Sequence, residues 1–283
     1  MKIIKTISLL ISCTFNMFSQ DDIIAQDVRV EFISIKQISD TDKSKIIETI
    51  YKKNDTLVRL KPEINKDDLD YFCNCFKTDS ITRIYQILAF THKRKRHDDN
   101  SINQWNSNVV VYFDKFFEKK TIDKFKLFFK PLNKIKNLHV SYTKKIKDAN
   151  YHILNSKNTI KNYENNDSIY SESFLTSKAT YKLVNDNNNK YYSGKLLIDV
   201  DSLKDKSLIL KKMKQLFFIS LGQFQTNYFL GTKSLTSINY IETNRINSFD
   251  LMLLKLHYFK IHDFNFTRRK FRILKSKLKK HCS

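Results

Sequence analysis

Apolar and polar residues alternate in several short stretches of this chain and recur at three- and four-residue spacing in others. Residues 27–35 alternate loosely, with Val28, Val30, Phe32, Ile33 and Ile35, and predict a strand. Asp40-Thr41-Asp42 offers a helix cap before Ile46, Ile47, Ile50 and Tyr51, so a helix is expected there. Two further helices are predicted over 67–76 and 80–92, the second because Ile81, Ile84, Tyr85, Ile87, Leu88 and Phe90 recur at helical spacing. Residues 93–104 are polar and charged and mark the best boundary. A small, mostly helical N-terminal region is therefore expected over 20–103.

The second part, 104–262, reads differently. Asn108–Phe113 is a strong strand. Thr121–Lys136 places Ile122, Phe125, Phe128, Phe129 and Leu132 on one helical side, and Pro131 kinks or ends that helix. Leu138–Tyr142 and Asn150–Leu154 are strands. Ala179–Val184 and Tyr191–Val200 flank an Asn/Asp run and predict a hairpin. Ser202 or Asp205 caps a long helix from Leu208 to about Phe224, and the last helix starts near Asn247 and runs past Tyr258. The order indicates an α+β (mixed α/β) domain.

At the N-terminus, Lys2 and Lys5 precede an apolar stretch from Ile7 to Phe18, and acids begin at Asp21 and Asp22. These are the parts of a secretory signal, with Ser19-Gln20 as the cleavage point. The stretch is shorter than a bilayer span needs. A rival reading takes Leu10-Ile11-Ser12-Cys13 as a lipobox, with Cys13 lipidated. An extracytoplasmic address is expected, secreted or periplasmic and envelope-associated, with no transmembrane segment in the mature chain.

The chain has 283 residues and a formal net charge of +22. Loss of residues 1–19 takes 51 cations to 49 against 29 acids, leaving +20. Such a charge suits an anionic polymer or surface, although lysine-rich composition alone also produces it. Three glycines and two prolines exclude Gly-rich phosphate loops and collagen-like repeats. Charge is densest in His92–His97 and in the tail, 263–283. The tail carries Arg268, Arg269, Lys270, Arg272, Lys275, Lys277, Lys279 and Lys280 after Asp263, with Phe264, Phe271, Ile273, Leu274 and Leu278 interleaved. Arg268, Arg269, Lys270, Arg272, Lys275 and Lys277 are the candidate contacts to an anionic membrane surface or glycan. A plain solvated helix is the other reading. An extracytoplasmic address argues against nucleic acid.

Of the four cysteines, Cys13 leaves with the signal or is lipidated. Cys73 and Cys75 form a Cys-x-Cys unit, within which a disulfide would be strained. A bridge from one of them to Cys282 would tie the tail down, whereas buried free thiols suit a helical stretch over 67–76. A metal site with His92 or His97 matches no zinc spacing.

Over roughly 105–262 the order of elements resembles the zincin-like fold of metzincin-type metallopeptidases, especially a bacterial family of secreted zincin-like proteins of unknown function. Val109–Phe113 resembles its first strand and Ile122–Asn137 its first helix. Asn150–Leu154 resembles its Ala-Asn-Ile strand, and Gly194–Val200 the edge strand before the site helix. Gln215–Gly222 resembles that helix with its closing Leu-Gly. Ser237-Ile238 resembles a Ser-Ile segment, and Asp250 with Leu253, Leu254 and Tyr258 resembles the closing helix.

The resemblance implies His-Glu-x-x-His, two imidazoles on Zn²⁺ and a Glu as base. Setting Gly222 at the family's glycine puts Gln215 and Ile219 at the two His positions, Leu216 at the Glu and Gln225 at the third ligand. None suits zinc, and Leu216 takes no proton. The implied protein is a non-catalytic zincin-like binding or structural module without cofactor. Two alternatives are an envelope-surface binder acting through the basic tail and a hydrolase with a non-standard site near Cys73 and Cys75. Asp199 and Asp201 are weaker candidates as paired carboxylates. His139, His152, His257 and His262 read as structural, and Asp250 with Asn247 as a helix-capping pair.

Overall fold

The computed structural model describes residues 33–44, 46–60, 70, 72–74, 79–90, 101–105, 108–156, 178–185, 190–203, 205–259, 267–279 and 282. Cys13, Cys75, the run His92–His97 and His262 lie outside them. Near the N-terminus, β1 (Ile33–Ser34), β2 (Ile46–Lys52) and β3 (Asp55–Leu60) form an antiparallel sheet in the order β1-β3-β2. A single helical turn, α1 (Asp40–Lys43), lies between β1 and β2. The helix expected from Ile46 through Tyr51 is therefore a strand. The β-branched residues Ile46, Ile47, Thr49 and Ile50 suit a pleated surface, and Lys53-Asn54 closes a hairpin onto β3. Among the described residues the N-terminal region holds this sheet, helical residues at 70 and 72–74 within the stretch predicted as a helix, and α2 (Asp79–Phe90).

The larger sheet holds six strands: β4 (Gln104–Trp105), β5 (Val109–Phe113), β6 (Val140–Thr143), β7 (Tyr151–Asn155), β8 (Ala179–Asn185) and β9 (Lys190–Ile198). Strands β6, β5, β7 and β9 run parallel in that order, and β8 pairs antiparallel with β9 as the hairpin partner. The short β4 adds to β9 at Lys190 and Tyr191. The fold is α+β. The strand expected at the edge before the long helix is instead interior, because β9 is flanked by β7 and β8; the edge belongs to β8.

Helix α3 (Lys119–Phe129) links β5 to β6 and gives way at Pro131 to a 3-10 turn over Lys130–Lys134, where proline removes a helical donor. Asp199 accepts from the backbone and hydroxyl of Ser202 and starts the short α4 (Val200–Leu203). Asp201 lies within that turn, so the two acids are not a same-face strand pair. Asp205 then caps α5 (Lys206–Gly222) by accepting from the Ser207 N–H. Helix α6 (Ser248–His257), capped by Asn247, and α7 (Arg268–Lys279) complete the chain.

Helix α5 is the centre of the core. Every residue from Met213 to Gly222 is buried. It packs on α3, on β8 and β9, on β4 and on α6. Phe217 meets Phe125, Phe129 and Tyr151 with ring centroids 4.9–5.2 Å apart. The Ser220 hydroxyl donates to the Phe217 carbonyl at 2.7 Å, so the Tyr151 hydroxyl, 2.8 Å away, donates to Ser220. Burial pushes the Tyr151 hydroxyl above the usual phenol range, which keeps that proton in place.

Gly194 makes the Tyr151 position possible, since a Cβ there would stand 2.7 Å from the Tyr151 ring. Gly194→Ala is expected to cost about 1–3 kcal/mol by overpacking, read as a lowered urea midpoint with the transition still cooperative.

Candidate functional site

The residues aligned with a zinc motif all lie on α5 or just beyond it. Leu216 and Ile219 are buried apolar side chains in contact with the core. Gln215 is buried, and its Nε2 donates to the carbonyls of Ser237 at 2.8 Å and Leu235 at 3.3 Å. Gln225 is half-buried and contributes its backbone N–H, which donates to the Leu88 carbonyl of α2 at 2.8 Å. The four positions therefore hold a helix, a loop and α2 together and converge on no common point. No cluster of three or more His, Cys, Asp or Glu able to hold a metal occurs among the described residues.

Electrostatics on this helix also oppose a cation. Lys212 shares a helical face, by spacing, with Leu216 and Ile219. Burial and the neighbouring Lys211 hold its ammonium below the usual lysine range. Lys214, two residues on, is buried. Its Nζ donates to Glu242 Oε1 at 2.8 Å and to the Thr243 carbonyl at 2.9 Å, and stands 4.4 Å from the centre of the Phe128 ring. Its place beside Met213 and close before the apolar run Leu216–Ile219 was the signal available in the sequence for this buried pair.

Lys214 and Gln215 thus grip the same irregular segment, residues 223–246. A third grip comes from Asp250, which is fully buried at the start of α6. Its carboxylate accepts from the Ser234 hydroxyl at 2.7 Å and the Leu235 N–H at 2.8 Å, while its own N–H donates to Asn247 Oδ1 at 2.7 Å. Asn247 Nδ2 also donates to the Lys233 carbonyl. Asp250 is structural, as its spacing to Asn247 indicates. Tied from beneath, the segment displays Tyr228, Phe229, Ile238 and Ile241 outward.

The helix ends at Gly222. Gln223 follows in the left-handed region, at φ 50°, and returns its N–H to the Ile219 carbonyl. A Cβ on Gly222 would lie 2.5 Å from the Phe224 ring, so this glycine is required for the turn to close. Gln223 Oε1 accepts from Asn103 Nδ2 at 2.7 Å and from the Tyr191 hydroxyl. This polar knot continues to His257, whose Nε2 is 2.8 Å from the Asn103 carbonyl. Nε2 therefore carries the proton. Burial keeps the Tyr85 hydroxyl protonated, and it donates to His257 Nδ1 at 3.3 Å. The Gln104 amide donates to the His257 carbonyl. His257 is satisfied on both nitrogens and acts as a strut between α2, β4 and α6.

Cys73 is bonded to Cys282 across a sequence separation of 209. Of the alternatives the sequence leaves open for Cys73, the bridge to the tail is the one formed. Helix α7 is docked by Phe271, which is buried against Tyr85 and Phe90 at 5.2 and 5.8 Å between ring centroids. Thr267 bridges to Ser101. Arg269 and Arg272 are exposed, whereas Arg268, Lys270 and Lys275 are half-buried. Lys277 lies on α7, in its last turn. No helix among the described residues is long and apolar enough to cross a membrane. No protein-family model matches the chain, and neither does any curated protein.

Two predictions follow from these ties. Glu242→Gln leaves the buried Lys214 ammonium without its counter-charge and is expected to cost roughly 3 kcal/mol in urea unfolding. The double variant Lys214→Met, Glu242→Gln should recover most of that loss. Burial pushes the Asp250 carboxyl up from 3.8 to about 6. The folded chain then holds this proton more tightly than the unfolded one, so the group's contribution to stability declines as pH rises from about 4 to about 6 and is level above. The decline is bounded at roughly 3 kcal/mol. Urea midpoints of wild type minus Asp250→Asn, taken at both ends of that window, should show it.

Proposed function

We propose that this chain is a non-catalytic, extracytoplasmic protein of zincin-like fold, serving as a binding or structural module of the cell envelope. The observation that carries the reading is the fate of Gln215. At the first ligand position of the resembled motif stands an amide that donates to the Leu235 and Ser237 carbonyls, and at the base position stands buried Leu216. The order of elements supports the fold half of the proposal: strand β5, helix α3, strands β6 and β7, hairpin β8–β9, long helix α5 and closing helix α6. The Cys73–Cys282 disulfide supports an oxidising compartment, in line with the signal-like N-terminus.

Metal analysis by mass spectrometry on the folded full chain, purified without an affinity metal, tests it. The expected result is well below one zinc per chain, with no peptidase activity on unfolded protein substrates. About one zinc per chain, bound stoichiometrically, would return a hydrolase to the front.

A second reading is favoured by α7. Its basic residues Arg269 and Arg272 face solvent on a helix whose apolar Phe271 is anchored in the core. Anionic lipid or glycan would then be held by charge alone, with a steep salt dependence. Arg269→Glu with Arg272→Glu should lower retention on a heparin column or on anionic vesicles while leaving the unfolding midpoint within about 0.5 kcal/mol of wild type.

A further inference from the structure

We propose that the segment 223–246 is a lipid-docking element, whose exposed apolar side chains enter the headgroup region of an anionic bilayer while the body of the protein stays in water. The proposal deepens the reading of the chain as a module of the cell envelope and rests on it. Four large apolar side chains of the segment face solvent: Tyr228 is 77% exposed, Ile241 60%, Phe229 49% and Ile238 48%. Exposed apolar side chains gathered in this way mark a contact surface.

The local structure gathers them. Asn227 and Ser237 form a parallel bridge, so Tyr228 and Ile238 stand side by side one residue beyond it. The Tyr228 and Phe229 rings meet edge to face, with centroids 6.1 Å apart. Ile241 is fixed to the same segment by its N–H, which donates to the Thr232 carbonyl at 2.8 Å. Lys214, Gln215 and Asp250 hold the segment from the core side, so its shape does not depend on a partner.

Two features select lipid as the occupant. The first is the backbone. An amide that enters a bilayer loses its water and finds no acceptor among acyl chains, so it must be paired beforehand. The Phe229 N–H donates to Asn227 Oδ1 at 3.3 Å and the Ile238 N–H to the Asn227 carbonyl at 3.1 Å, and the Ile241 N–H is paired as above. The second is charge. The charged residues of the segment are Lys233, Glu242 and Arg245. Glu242 is engaged by the buried Lys214, whereas Lys233 and Arg245 are exposed. The exposed residues of the segment therefore combine aromatic and aliphatic side chains with two cations and include no acid. Rings and aliphatic groups suit the acyl boundary, and the cations suit the phosphates above it. The net charge of +22 attracts the whole chain to the same surface.

Co-flotation of the full chain with vesicles containing about 30 mol% phosphatidylglycerol in phosphatidylcholine tests this. Binding is expected to persist in part at about 0.5 M salt, because apolar contact is not screened. Phe229→Ser with Ile241→Ser should lower vesicle affinity by about tenfold or more and remove the salt-resistant part, with the unfolding midpoint unchanged. Arg269→Glu with Arg272→Glu should keep the salt-resistant part. The native chain has one tryptophan, Trp105, and it is buried. In Phe229→Trp the new indole should therefore report the site itself, with emission moving to the blue on vesicles and quenched by brominated lipid.

Absence of binding, or release of all bound protein at that salt with the Phe229→Trp emission unmoved, overturns the docking and leaves the module reading standing. A dimer that forms without vesicles and is abolished by the Phe229→Ser, Ile241→Ser variant shows that a second copy covers the cluster, and overturns lipid as the occupant. About one zinc per chain in the same preparation overturns the module reading instead, so the two failures are told apart.

Discussion

A helix span buried on every side must satisfy each polar group it carries, and α5 has such a span from Met213 to Gly222. Lys214, Gln215 and Ser220 all lie within its buried span. Leaving any of them unpaired would cost several kcal/mol, as much as a large part of a domain's net stability. The structure answers with five residues: the carboxylate of Glu242, the carbonyls of Leu235, Ser237 and Thr243, and the Tyr151 hydroxyl. Two of those answers come from one irregular segment, which is why residues 223–246 hold a fixed shape without helix or strand. Asp250 closes the same segment from α6.

The same ties leave the positions aligned with the zinc motif, Gln215, Leu216 and Ile219, without a set of zinc ligands. A ligand must point its lone pairs at an open position and be free of stronger donors. The Gln215 amide is turned so that its nitrogen meets two carbonyls. Leu216 and Ile219 bring only carbon, and Lys212 adds positive charge to their face. Restoring one histidine would not restore a site, because the loop that Gln215 holds would lose its tie.

The long helices and the parallel strands were legible because each buries a continuous apolar face. Val109-Val110-Val111 and the Phe125–Phe129 spacing admit few other readings. The N-terminal hairpin was misread because Ile46, Ile47, Ile50 and Tyr51 mimic a helical face over one turn, while the deciding signal, the Lys53-Asn54 turn, is short. The interior place of β9 was not legible, since pairing on both edges depends on strands distant in sequence. Gln215, Asp250 and His257 could be located on their elements, but their partners are 15 to 154 residues away. The Cys73–Cys282 pairing is likewise a long-range fact, and spacing alone left it open.

The tail helix α7 is docked where charge and apolar surface compete. Helix α7 has no acidic residue, so no ion pair forms within it and its place rests on contacts to the body. Phe271 makes such contacts with the aromatic pair Tyr85 and Phe90, on the same helix α2 whose Tyr85 hydroxyl supports His257. Docking of the tail is therefore coupled to the polar knot through Tyr85. Tyr85 packs against Phe271 with its ring and donates to His257 with its hydroxyl. Phe271 belongs to the same buried apolar cluster as Tyr85, Phe90 and Phe224, so the tail helix closes the core that the polar knot also serves and is not an appendage to it.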